Sequence, residues 1–506
     1  MISLVRNRRI VLVVVASASF AVIVGAFAFF SGPSTRGAYF VRAYDYRALY
    51  CGGAATLERA NPYRVEPLRA CEHDRPDATF KAEIPAWAVM PAPYPGYGLA
   101  LYAQLSRFSY PLAKALWLAT LSFAIAISVF ALVEFTGWPL PIVALAFVPT
   151  GLLTNLFLGA APPVALAGLT LAALLFSRGR AALAVVPLSF AMINPHLALP
   201  SAIALFIVAP QARLALCGAA AVLAAISLYA IGFTANVEYL RSVLPTHARA
   251  EVFHHYQYSL THLLATLGVP TTVALDAGTI SYAALAAFAL YVVTRGAVRN
   301  PLERARVILV PAAFVTLGGS FIHGQEILIA LPAALVLARC AKSNADRTLA
   351  TIGLLGVLFS LVSDDLRIGT IAYVSACAAL AFAIAPDRRV RSAFGTAFAA
   401  VLLVVAVQSS GRFGHESPKP SGLPAEPPGI TASTDGGLVW AAFLASSPTW
   451  TDESPYTVAL KIPTWLGLLS LVVLAFRVRP RVRDASDVDI TARRVDFGAI
   501  SDPIRT

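Results

Sequence analysis

Long apolar runs dominate this sequence of 506 residues. A helix of about 20 apolar residues crosses a hydrocarbon core of ~30 Å, and runs of this length follow one another along most of the chain. The composition agrees, because 58% of the residues are hydrophobic, 13% are charged and the mean hydropathy is +0.71. These values exclude a soluble domain and a disordered chain, so we expect an all-α polytopic membrane protein.

The apolar runs predict a bundle with about 12 to 14 membrane crossings. We expect helices at 10–30, 97–135, 139–157, 160–177, 181–210, 212–232, 272–293, 305–341, 347–363, 369–386, 393–409 and 461–476. Two runs are interrupted, one by Asn194-Pro195-His196 and the other by residues 318–324. Freed backbone groups at membrane depth must face protein or a wet cavity, so both breaks predict a pocket.

Basic residues fall at alternate ends of the apolar runs, which places both termini in the cytoplasm of a multi-pass cell-membrane protein. The net charge of +12 therefore reflects topology, and we expect no nucleic-acid partner. The predicted organisation is a first helix (1–30), an exported loop (31–96), a bundle (97–409) with a second exported loop (233–271), a Pro- and Gly-rich exported loop (410–460), a last helix (461–476) and a basic tail (477–506). The first helix has an alternative as a cleavable signal peptide, which would also export the loop after it.

The first exported loop contains an apolar face at helical spacing, made by Tyr46, Tyr50, Ala54 and Leu57. This pattern predicts an amphipathic helix on the outer membrane surface. The helix should end before Asn61-Pro62, because a residue preceding proline avoids the α region.

Asp45 stands at the beginning of this helix and has two interpretations. A helix N-cap would use its carboxylate to accept backbone N–H bonds. A general base at a membrane-surface active site would use the same carboxylate to accept a hydroxyl proton.

Cys51 and Cys71 share the exported loop. In an oxidising compartment they are disulfide candidates, and a bridge closing about 20 residues would stabilise the loop by roughly 3 kcal/mol. Two free thiols remain the alternative, because spacing alone does not show that the side chains meet.

His323 lies inside an apolar run, where an ionisable side chain is costly and is a functional-site candidate by default. Glu326 is close to it in sequence, and His196 occupies the other helix break. For both histidines the alternative is structural, as a hydrogen bond between helices or a position at a helix end.

We expect no metal site and no cofactor. Glu72-His73-Asp74 offers three ligand types, but consecutive residues diverge and lack ligand spacing. No P-loop, dinucleotide fingerprint or catalytic Cys-His arrangement is present.

The order of several short motifs resembles the family 87 glycosyltransferases of the GT-C superfold. The motifs are Asp45-Tyr46 with Tyr50, then Asn61-Pro62-Tyr63, Tyr94-Pro95, Ala115-Leu116-Trp117 and, more weakly, Gln257-Tyr258-Ser259-Leu260 and His323. The resemblance is firm over about 40–120. Gly159-Ala160 and Asn194-Pro195-His196 depart from the pairs usual in the family.

The resemblance implies a mannosyl- or related hexosyltransferase that moves a sugar from a polyprenyl-phosphate donor to an exported glycan or lipid acceptor. Asp45 matches the family's catalytic base, and we predict a catalytic role for His323 as well. The phosphate that leaves with the polyprenyl chain of the donor needs cations or N–H donors nearby. Candidate substrate-binding residues are Arg42, Arg47, Asn61, Tyr63, Tyr94, His196, Arg241, His254, His255, Tyr258 and Glu326.

Some of these candidates have ordinary alternatives. Arg42 and Arg47 would also suit an interfacial helix with snorkelling side chains, and His254 and His255 would suit a solvated loop. For the whole chain, the alternative is a non-enzymatic carrier of lipid-linked sugars or small solutes, which also needs broken helices around a pocket.

Overall fold

The computed structural model describes residues 43–74, 80, 83–147, 153–295, 298, 300–359, 423–447, 451 and 455–479. These residues form helices joined by loops, and the described part of the chain contains isolated β-bridges but no strand. The all-α prediction is confirmed to this extent. The predicted helices at 10–30, 369–386 and 393–409, the side chain of Arg42, residues 410–422 of the third exported loop and residues 480–506 of the tail lie outside the described residues.

The helices before the second exported loop are α1 (Tyr44–Leu57), α2 (Val65–His73), α3 (Gly96–Leu105), α4 (Tyr110–Thr136), α5 (Leu140–Phe147), α6 (Leu153–Leu158), α7 (Pro162–Ser177), α8 (Ala181–Ala191), α9 (Pro195–Val208) and α10 (Arg213–Glu238). The later helices are α11 (Leu244–Ala250), α12 (Leu260–Thr266), α13 (Thr271–Thr294), α14 (Pro301–Val315), α15 (Leu331–Cys340), α16 (Asn344–Leu358), α17 (Gly436–Ser446) and α18 (Pro455–Arg477). The chain also forms 3₁₀-helical turns at Pro210–Ala212 and Gly324–Ala330 and a wider, π-helical turn at Tyr239–Val243.

Three helical segments are long and apolar enough to cross a membrane, as expected for a membrane protein. They are Tyr110–Thr136, Pro210–Ala250 and Thr271–Thr294. Shorter apolar helices occupy Pro162–Ser177, Ala181–Ala191, Pro195–Val208 and Gly436–Ser446. The total of about 12 to 14 crossings stays a prediction.

Both predicted helix breaks are present. Helix α8 ends at Ala191 and α9 begins at Pro195, whose fixed φ suits the first position of a helix. Helix α14 ends at Val315, and the chain then runs through a loop to the turn Gly324–Ala330. The two interruptions bring polar side chains into the interior of a largely apolar molecule.

The expected exported loop at 233–271 is partly helical instead. The backbone departs from helical geometry at Gly232, yet the helix continues to Glu238 and through the wide turn into α11. Asn236 compensates for the kink, because its side-chain amide donates to the carbonyl of Gly232 at 2.7 Å and accepts from the Ser227 hydroxyl at 2.6 Å. The polar residues after 232 therefore continue a helix rather than start a loop.

Helix α1 is packed inside the protein, which differs from the predicted surface helix. All of its residues except Asp45, Ala54 and Leu57 are buried. Gly53 allows a close approach to α3, since a Cβ there would lie 2.6 Å from the carbonyl oxygen of Tyr102. A disulfide joins Cys51 to Cys71 and ties α1 to α2, with their Cα atoms 5.5 Å apart. Helix α1 therefore packs against α3 and is linked covalently to α2, instead of lying on the membrane surface.

We predict that Gly53→Ala lowers the stability of the protein, because the added methyl group would overlap the backbone of α3. Overpacking of this kind costs about 1–3 kcal/mol. Gly218→Ala is the matched control, since a Cβ at this helical glycine meets nothing within 4 Å. The unfolding temperature in detergent should fall for the Gly53 variant and stay level or rise for the control; equal behaviour would contradict the close packing.

Candidate active site

A cavity of about 950 Å³ lies between the start of α1, the two helix breaks, and helices α10 and α11. Leu228, Phe233 and Leu240 line it and are also 48%, 74% and 65% exposed on the molecular surface. The cavity therefore opens on an apolar part of the surface. Its ionisable lining residues other than tyrosine, among those described, are Asp45, His196, His247, Glu251, His254, His323 and Glu326.

Asp45 occupies the first turn of α1, and it is not the N-cap. Ala43 is the N-cap, in a left-handed conformation with φ of 51°, and its N–H donates to the carbonyl of Phe157 at 2.7 Å. Gly159 fits closely beside this turn, with φ of +67°, and a Cβ there would lie 2.7 Å from the Cβ of Tyr46. The indole N–H of Trp117 donates to the carbonyl of Gly159 at 2.7 Å. These contacts fix the start of α1, and with it the position of Asp45.

The Asp45 carboxyl group faces the cavity and is half-buried. Burial raises its pKa from 3.8 to about 7; His323 acts in the opposite direction, and the carboxylates of Glu251 and Glu326 raise the pKa further. A carboxyl group with such a pKa is divided between its two protonation states near neutral pH. This is the range in which a general base is most effective.

Glu251 is the centre of a polar cluster in the lining of the same cavity. One carboxylate oxygen accepts a hydrogen bond from the indole N–H of Trp440. Its other oxygen, Oε2, lies 3.3 Å from Nε2 of His323 and 3.7 Å from Nδ1 of His254. Interaction with the histidines holds the pKa of Glu251 well below its usual range in spite of burial. Glu251 is therefore a carboxylate at neutral pH.

Backbone pairing brings the histidines together. Gln257 and His323 form an antiparallel β-bridge, in which the N–H of Tyr258 donates to the carbonyl of Ile322 at 2.7 Å and the N–H of Gly324 donates to the carbonyl of Tyr256 at 2.8 Å. The segment after α11 is thereby fixed against the second helix break. Tyr258 is buried in this junction and does not line the cavity.

Glu326 links the two helix breaks. Its Oε1 lies 2.9 Å from Nε2 of His196, and its Oε2 accepts the backbone N–H of His323 at 2.9 Å. The hydroxyl of Tyr282 donates to the carbonyl of His196 at 2.7 Å. The breaks that the sequence predicted separately thus form one continuous polar wall.

Of the candidates Tyr94, Tyr63 and Asn61, only the first is among the residues that line the cavity. Tyr63 donates its hydroxyl to the carbonyl of Tyr94 at 2.8 Å and stacks on Tyr239. Asn61 donates to Glu238 at 2.9 Å. Tyr63 and Asn61 support the cavity wall from behind rather than line it.

The structure does not bring the described arginine candidates to the cavity. Arg47 is fully buried, donates to the carbonyl of Glu72 at 2.8 Å, and lies 4.3 Å from the ring centre of Phe80. Arg241 is exposed and outside the cavity lining. His255 stacks on His254 and also lies outside the lining.

Sequence reasoning missed Glu251, His247 and Trp440. Glu251 and His254 are three residues apart in the turn that follows α11, and this spacing was a usable signal. Trp440 follows Glu251 by 189 residues and carried no local signal for their contact.

Comparison with known proteins identifies no relative of this chain: no protein-family model, curated sequence or solved structure matches it. The resemblance to the family 87 glycosyltransferases therefore depends on the sequence motifs alone.

We predict that Arg47→Leu destabilises the protein, since it removes a buried hydrogen bond and a guanidinium packed on an aromatic ring. The expected loss is about 2–4 kcal/mol. Arg241→Leu makes the same change at an exposed position and should leave the unfolding temperature within about a degree or two. Normal unfolding of the Arg47 variant combined with weakened donor binding would instead support a substrate-binding role.

Proposed function

We propose that the protein is an integral membrane glycosyltransferase that moves a hexose, with mannose the first to test, from a polyprenyl-phosphate donor to an exported glycan or lipid acceptor. One observation carries the proposal: a carboxyl group with a pKa near neutrality, Asp45, faces a large cavity that opens on an apolar surface. Such a cavity suits a substrate with a lipid tail and a polar head.

The proposed reaction is a single displacement with inversion. Asp45 takes the proton from the acceptor hydroxyl as its oxygen attacks the anomeric carbon of the donor sugar. The bond from that carbon to the phosphate oxygen breaks, and polyprenyl phosphate leaves with the electron pair. Within the described residues no hydrogen bond engages the Asp45 side chain, which is compatible with this role.

The apolar side of the cavity would hold the first isoprene units of the donor. Leu228, Phe233 and Leu240 extend from the cavity to the outer surface of the helix. An isoprenoid chain could therefore enter from the side while its phosphate reaches the polar wall. A carrier would need no base, so loss of Asp45 separates the two functions.

We predict that Asp45→Asn reduces sugar transfer by about 10²- to 10⁴-fold, because the amide cannot accept the hydroxyl proton at neutral pH. Transfer from radiolabelled polyprenyl-phosphate mannose, and then from other sugars, would be measured in proteoliposomes. Asp276→Asn, the same change on an exposed position of α13, should transfer normally. Both variants should unfold at the wild-type temperature. Wild-type turnover by the Asp45 variant would remove the proposed base.

A second prediction concerns the lipid entrance. Ala224 lines the cavity, whereas its neighbour Ala225 is exposed and does not. Ala224→Phe should narrow the entrance and raise KM for a long-chain donor about 10-fold, which corresponds to about 1.4 kcal/mol. Ala225→Phe adds the same side chain outside the cavity and should leave KM unchanged. Equal KM values for the two variants would place the donor elsewhere.

A further inference from the structure

Glu251, His254 and His323 bring three metal-ligand groups to one wall of the cavity. One ligand atom from each residue lies within 4.8 Å of the other two. The residues come from two distant parts of the chain, since 72 positions separate Glu251 from His323. That distance explains why the sequence did not indicate these three residues as a metal site.

Two of the three spacings between these atoms are close to those around a small tetrahedral cation, and the spacing between His254 and His323 is within 4.8 Å. Zinc bonds of ~2.0–2.1 Å to nitrogen and oxygen place neighbouring ligand atoms about 3.3 Å apart. Oε2 of Glu251 is 3.3 Å from Nε2 of His323 and 3.7 Å from Nδ1 of His254. Small side-chain movements would complete the geometry. A set of two histidines and one glutamate also leaves a fourth position for water or substrate, as in catalytic zinc sites.

Neighbouring groups orient Glu251 and His323, whereas Nδ1 of His254 accepts the backbone N–H of Tyr256 at 3.3 Å, a contact that a cation would replace. Trp440 donates to Oε1 of Glu251, which leaves Oε2 directed at the two imidazoles. The amide of Gln325 lies 3.2 Å from Nδ1 of His323. The amide nitrogen makes this contact, while the amide oxygen of Gln325 is buried without a described hydrogen-bond partner, so a half-turn of the amide would let the oxygen accept from Nδ1–H. That contact leaves the Nε2 lone pair of His323 available to a cation, as outer contacts do at known metal sites.

The charges of the cavity supply the strongest reason for a cation. Its described lining contains the three carboxyl groups Asp45, Glu251 and Glu326, and no lysine or arginine. A phosphate group would be repelled by such a lining unless positive charge were added. Protonated histidines can provide part of it, and a divalent cation provides more at a fixed position.

We propose that Glu251, His254 and His323 bind a divalent cation of the zinc type, whose open position accepts a phosphate oxygen of the donor. The phosphate role rests on the proposed glycosyltransferase function, whereas cation binding itself does not. At this position the cation would stabilise the charge that develops on the leaving phosphate. The histidine–glutamate contacts would then be the resting arrangement of the ligands.

The test uses full-length protein in detergent, stripped with chelator and re-equilibrated with zinc. Elemental analysis should find about one zinc per chain, and X-ray absorption should show nitrogen and oxygen ligands at ~2.0–2.1 Å. Glu251→Gln and His323→Gln should raise the apparent Kd for zinc at least about 100-fold. His255→Gln is the matched control, because this neighbouring histidine lies outside the cluster and should retain wild-type binding.

Thermal unfolding shows whether each variant is folded and whether zinc stabilises it. Zinc should raise the unfolding temperature of the wild type and of His255→Gln, and leave that of Glu251→Gln unchanged. Folded wild-type protein that binds no stoichiometric zinc, or variants that all bind it equally, would overturn the site.

Sugar transfer separates this inference from the proposed function. Loss of transfer on chelation, with recovery on adding zinc, supports the phosphate role. Undiminished transfer by chelated protein overturns that role and leaves the glycosyltransferase proposal standing. Stoichiometric zinc in a protein that transfers no sugar overturns the proposed function and leaves the cation site standing.

Discussion

Three carboxyl groups share one largely apolar cavity, and the repulsion among them constrains everything around it. In a medium of low dielectric constant, like charges that share a cavity are stable only when each has a compensating partner. Glu251 has Trp440 and two histidines, and Glu326 has His196 and a backbone N–H. Burial raises the pKa of Asp45 to about 7, and among the described residues the charge of His323 is what acts against this rise. Among these three carboxyl groups, the one with the fewest contacts to described residues is thus the one whose pKa is raised.

The fold provides this arrangement by covalent and steric means. The disulfide between Cys51 and Cys71 and the close approach at Gly53 fix α1 against its neighbours. The turn at Gly159 and the hydrogen bond from Trp117 fix the first residues of the same helix. A base that must meet a substrate within a fraction of an ångström benefits from a helix restrained at both ends. The interior packing of α1 is therefore consistent with a role in positioning.

Much of this architecture was visible in the sequence, because it depends on local signals. The apolar runs predicted most helices, and proline and glycine residues predicted the two breaks that supply His196 and His323. The sequence did not show whether α1 packs against lipid or against protein, because an apolar face rich in tyrosine is compatible with either. The helix beyond Gly232 was also missed, because Asn236 satisfies the kinked backbone through contacts that no periodicity reports. Glu251 was overlooked although His254 follows it by three residues, because its other partners, His323 and Trp440, lie 72 and 189 residues away.

The proposed cation would let an anionic substrate bind in a cavity that is lined by carboxyl groups. Without a cation, the approach of a phosphate would favour protonation of Asp45, since another negative charge raises the pKa of a nearby carboxyl group, and a protonated Asp45 cannot act as a base. A divalent cation held by Glu251, His254 and His323 would reverse both effects, because it attracts the phosphate and favours the carboxylate form of Asp45. The donor and the base would then depend on the same ion. In this way a site with no described lysine or arginine in its lining could accommodate a phosphorylated lipid.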